Sequence, residues 1–141
     1  AGLLMCEMVM KTQAQEQADE SMFEMLRKAL EVLDAVSEQE AYSVSVAMRS
    51  RLADIMGFGI QYEAPMNVPI MSVMIADGAI VPGSHGVHMS KQAYAALYSS
   101  VKGRWQTIEE SDRLEIESVL ALYFSHHLER RIVSQTFSSL R

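Results

Sequence analysis

A chain of 141 residues, 49% of them apolar, has room for one hydrophobic core and not for two. Its 12 basic and 18 acidic residues leave a net charge of −6, a long-range field that works against ligands held by phosphate neutralisation, so nucleic acid is expected to be an unlikely partner. The single cysteine, Cys6, excludes an intrachain disulfide framework and points to a reducing, cytoplasmic compartment.

Residues 1–14 read as a flexible N-terminal segment; Ala1–Met10 is apolar but lacks the basic start of a secretory signal and carries Glu7. From Gln15 to Val36 the apolar residues Met22, Met25/Leu26, Ala29/Leu30, Leu33 and Val36 recur at the 3-and-4 spacing of one helical face. The opposite face carries Glu20, Glu24, Arg27, Lys28, Glu31 and Asp34 and reads as solvated. Ser37-Glu38-Gln39-Glu40 has the form of a capping box, in which the Ser oxygen accepts a backbone N–H three residues on. A second helix is predicted to start there, with a stripe of Ala41, Val44, Met48, Leu52 and Ile55 and an end at Gly57 and Gly59.

All three prolines and five of the seven glycines fall in the middle stretch 57–90. Pro65 and Pro69 bias their predecessors toward extended backbone. Ile70–Ile75 mixes β-branched residues with methionines, Asp77-Gly78 suits a type I′ turn, and Ala79–Val81 follows, so a short β-hairpin fits here and a short buried helix over Pro69–Ala76 competes with it. Pro82-Gly83-Ser84-His85-Gly86 reads as a loop. The longest uncharged run, Ala64–Ala76, is too short for a membrane span, which needs about 20 apolar residues, and no membrane association is expected.

Ser90 is a suitable cap for a third helix, Lys91 to about Lys102. Gly103 permits a corner, and Thr107-Ile108-Glu109-Glu110 opens a long last helix to about Ser138. Ile116, Val119, Leu120, Ala121, Leu122, Tyr123 and Phe124 cover most of its circumference, which predicts burial on several sides and suits a homodimer interface. The acidic start of this helix, with Glu109, Glu110, Asp112, Glu115 and Glu117, would repel phosphates, so an αα-hairpin is preferred to a DNA-reading helix-turn-helix.

Candidate chemistry is sparse. His85 and His88 form an H-x-x-H spacing and are the metal or ligand candidates, but no cysteine pair or His-Glu-x-x-His pattern supports them, and no cofactor is expected. Ser84 beside His85, with Asp77 as a third member, lacks any spacing that aims the three at one another, so no catalytic set is assigned. Eleven methionines mostly read as core filler; Met66, Met71, Met74 and Met89 gather in the irregular middle, where flexible thioethers suit an adaptable protein-binding surface.

These features predict a mostly α fold: a four-helix bundle-like single domain over 1–141, two N-terminal and two C-terminal helices around a central irregular Gly/Pro-containing apolar segment. The predicted function is a small soluble regulatory or adaptor protein acting by protein-protein binding as a homodimer. The alternative is a small enzyme or metal- and ligand-binding protein using His85 and His88.

Overall fold

The computed structural model describes residues 20–139. The expectations placed on the segment 1–14 and on Cys6 lie outside the described residues.

The first helix, α1 (Glu20–Ala35), buries Met22, Met25 and Ala29 and packs chiefly on α2 (Ala41–Met56). Between them Ser37 Oγ accepts from the Glu40 amide at 3.3 Å, so the predicted cap forms over a preliminary turn and the helix itself starts one residue after Glu40. Helix α2 ends where expected: Gly57 takes φ +90°, and its N–H closes on Ala53 and Asp54 carbonyls.

Helix α2 is the central one. Five consecutive residues, Ser43–Ala47, are all buried, and at 3.6 residues per turn they sweep the whole circumference. Small side chains allow the close approach this demands; Ser43 Oγ and Ser100 Oγ meet at 2.6 Å across the contact with α3 (Lys91–Val101). The sequence predicts burial of the last helix, α4 (Glu110–Ser139), on several sides, and over residues 110–130 this chain covers one. It buries one stripe, Ile116, Val119, Leu120, Tyr123 and Phe124, while Leu114 and Leu122 stand 67% and 55% exposed. A run of consecutive apolar residues says how much of a helix could be covered, not how much is.

The expectation of a four-helix bundle is corrected by the middle of the chain, which supplies a sheet. Strands β1 (Ile70–Val73), β2 (Ile80–Pro82) and β3 (Val87–Ser90) form a three-stranded antiparallel sheet in the order β2-β1-β3. In register, Met71 lies between Pro82 and Met89, and Val73 lies between Ile80 and Val87. The extended reading of Ile70–Ile75 holds over Ile70–Val73, and the connection is six residues long rather than a two-residue turn, closed by the Gly78 N–H on the Met74 carbonyl at 2.8 Å. The third strand was missed altogether. Four residues suffice for it because β1 offers a second paired edge, and the Gly83–Gly86 loop returns tightly: a side-chain carbon on Gly86 would lie 2.5 Å from the Val73 carbonyl oxygen.

Sheet and helices share one hydrophobic cluster, in which Met71, Val73, Ile80 and Met89 meet Leu97, Ile116 and Leu120. Tyrosines fasten the irregular segment after α2 to this core. Tyr123 Oη donates to the Phe58 carbonyl at 2.9 Å, Tyr62 Oη pairs with Ser50 Oγ at 2.8 Å, and Tyr94 Oη accepts from the Glu63 amide at 3.1 Å. Among the described residues no helix is long and apolar enough to cross a membrane.

Candidate functional site

The residues singled out from sequence do not converge. His85 and His88 are both exposed, and His88 is a strand residue opposite Ser72 rather than a loop residue. Among the described residues no group of three His, Cys, Asp or Glu side chains is placed to hold a metal ion. Asp77 is committed to its own turn: its Oδ1 accepts from the Ala79 amide at 3.0 Å and its carbonyl from Gln61 Nε2 at 2.9 Å. Met71 and Met89, each 1% exposed, are cross-strand neighbours in the core and offer no surface to a partner, whereas Met66 and Met74 are half-buried.

The other two histidines are also spoken for structurally. His127 Nε2 lies 2.6 Å from the Ile75 carbonyl and its ring stacks on Phe58 at 5.4 Å between centroids, so it joins α4 to the β1–β2 connection. His126 meets the His127 ring edge-on.

A concave feature lies elsewhere, between α1, α2 and the corner joining α3 to α4. It is a groove of about 830 Å³. Met25, Met48, Ile55 and Val101 give it an apolar floor, Lys28, Arg51 and Lys102 a cationic rim, and Trp105 one wall. The helices place these residues by simple periodicity: Met25 and Lys28 are three apart on α1, and Met48, Arg51 and Ile55 follow at three and four on α2.

The corner itself is held by backbone. Gly103 takes φ +82°, its N–H reaches the Ser100 carbonyl at 3.0 Å, and the Arg104 N–H reaches Ser99 at 2.9 Å, which fixes where Trp105 leaves the helix end. Lys102 Nζ lies 5.3 Å from the centroid of the Tyr98 ring.

The charges around the groove are unbalanced. Among the described residues the ion pairs join Arg27 to Glu24 and Glu31 and Arg49 to Glu117; Lys28, Arg51, Lys102 and the adjacent Arg104 enter none of them. Glu24 is the sole carboxylate on the lining, and Arg27 claims it: Nε donates to Oε2 at 3.2 Å and Nη2 to Oε1. Those hydrogen bonds hold the Glu24 carboxyl below its ordinary range, so it stays charged but paired. A chain of net charge −6 thus gathers on one apolar cleft three cations that form no contact ion pair among the described residues, although Lys28 acts at longer range on Glu24 and Arg51 on Asp54.

The groove was missed in the sequence because Lys28 sits among six charges of a solvated helix face and Arg51 lies far from it in the chain. One local signal was available: Lys102-Gly103-Arg104-Trp105 sets two cations beside the only tryptophan at a helix corner.

Fold and groove together define a small α+β domain with a cationic, apolar-floored cleft. Residues 1–136 match the family described as Recombination protein O C terminal, and the chain belongs to that family. No curated protein and no solved structure matches it. Membership sets the chain among DNA recombination and repair proteins, which overturns two expectations, a generic regulatory adaptor and nucleic acid as an unlikely partner, while the three-stranded sheet overturns that of an all-α bundle. The exclusion of nucleic acid rested on net charge and on the acidic start of α4, and neither speaks for a local cluster elsewhere on the chain.

Proposed function

We propose that this domain serves DNA recombination and repair by binding nucleic acid through the groove between α1, α2 and the α3–α4 corner. The observation that carries the reading is the convergence of Lys28, Arg51 and Lys102, none of them in an ion pair among the described residues, on one cleft. Phosphate oxygens are the anions such a rim suits, because each neutralised phosphate releases condensed counterions whatever the base sequence. Family membership supports the same reading, since RecO proteins bind DNA. A recombination role also suits the cytoplasmic placement suggested by the single cysteine.

The test is a fluorescence anisotropy titration of the full chain with a labelled oligonucleotide across a range of salt concentrations. Lys28→Ala, Arg51→Ala and Lys102→Ala should each weaken binding and each reduce the slope of log affinity against log salt by about 0.7 to 0.9. Wild-type protein that fails to bind at low salt, or three variants that retain the wild-type slope, would sink the reading.

A further inference from the structure

The floor of the groove asks for more than phosphate. Phosphodiester oxygens satisfy Lys28, Arg51 and Lys102 but offer nothing to the exposed parts of the half-buried Met48, Ile55 and Val101. A duplex turns its phosphates outward and keeps the faces of its bases stacked inside, so it can offer the rim what it needs and the floor nothing. An unpaired strand can turn its bases inward against an apolar surface while its backbone follows the cations.

The wall supplies the matching surface. Trp105 is half-buried, lines the groove two residues beyond Lys102, and is the only tryptophan in the chain. Its backbone is set in advance by the Gly103 corner and the Arg104 N–H bond to Ser99, so the indole leaves the chain from a fixed point on the groove wall. Stacking on an aromatic side chain accepts any base, because every base has a π-face.

Resting on the nucleic-acid reading above, we propose that Trp105 takes an unpaired base by stacking, with Lys102 and Arg51 on the flanking phosphates, and that this contact makes the groove select single strands over duplex. Trp105 is thereby the specificity-determining residue of the site.

The single tryptophan gives the experiment its readout. The full chain is titrated with an oligothymidylate, with an abasic strand of the same length, and with a blunt duplex, following tryptophan emission and anisotropy together. Oligothymidylate should quench the emission and bind about tenfold more tightly than either of the others, a ratio equal to about 1.4 kcal/mol. Trp105→Ala should bind the abasic strand as wild type does while losing the preference for thymidine, and Trp105→Phe should retain most of it. Because the abasic strand alters the ligand and not the protein, that comparison stands even if a variant folds poorly.

Equal binding of the thymidine and abasic strands with unchanged emission would overturn the role of Trp105 and leave phosphate binding intact. Absence of binding to all three ligands would overturn both readings.

Discussion

Arg49 and Glu117 face each other through two parallel hydrogen bonds, Nη1 to Oε2 at 2.8 Å and Nη2 to Oε1 at 2.9 Å, and so join the central helix α2 to α4. The two ends differ in environment: the arginine side chain is 9% exposed, with its Nε buried and unpartnered, and the glutamate is 35% exposed. Removing the carboxylate strands a desolvated guanidinium, whereas removing both charges together leaves nothing unpaired. Glu117→Ala should therefore cost about 2 kcal/mol of stability in urea denaturation, and Arg49→Met combined with Glu117→Leu should come close to wild type.

Two glycines separate backbone strain from steric conflict. Gly78 and Gly103 take φ +74° and +82°, but an added methyl carbon at Gly78 would lie 2.6 Å from Tyr123 Oη and at Gly103 would meet nothing. Gly103→Ala should destabilise by about 1 kcal/mol from the left-handed conformation alone. Gly78→Ala should cost roughly 2–4 kcal/mol, because it also displaces the tyrosine that holds the Phe58 carbonyl. Similar losses in parallel denaturation curves would contradict the packing at Gly78.

Stability should fall in alkali with an identifiable contribution from Tyr42. Burial, with Glu117 nearby, pushes its hydroxyl up to about 12 from an ordinary 10, against the opposing pull of Arg49 and Arg113. The folded protein holds this proton more tightly than the unfolded chain, so the stabilisation is complete below pH 10 and is lost as pH rises toward about 12. Burial pushes Tyr62 in the same direction. Denaturation midpoints measured at a series of alkaline pH values should decline less steeply for Tyr42→Phe than for wild type.

Ser90 does two jobs at the start of α3. Its Oγ accepts from the Ala93 amide at 3.2 Å and donates to Glu115 at 2.7 Å, so it caps one helix and reaches another. Ser90→Ala should cost about 1–2 kcal/mol, and Ser90→Thr should recover most of it, as read by thermal unfolding.

That cap shows what was legible in advance. Ser90, Gly57 and the spacing of Met22, Met25 and Ala29 act within one or two turns of chain, and local signals of that kind placed all four helices. The sheet was half legible: β-branched residues marked β1, but four residues of β3 carry no period of their own and gain their meaning from pairing with Met71 and Val73. Which helix would be central was not legible, because α2 owes its burial to Ser43, Ser45 and Ala47, residues whose small size matters only once a neighbour approaches. The groove was least legible of all. Lys28, Arg51 and Trp105 are brought together by packing across 77 positions of sequence; Lys28 and Arg51 read as ordinary surface residues, and only the Lys102–Trp105 corner carries a local sign.

The groove takes Glu24, Met25 and Lys28 from α1, a helix that rests chiefly on α2, and its remaining lining from α2, Val101 at the end of α3 and the corner beyond it. Occupancy and docking of that first helix are thus a single equilibrium. Whatever settles in the cleft holds the helix down with a free energy that grows with the logarithm of its concentration, about 2.7 kcal/mol at one hundred times its dissociation constant. Amide exchange along Glu20–Ala35 would then read out ligand binding from outside the cleft, slowing in step with saturation.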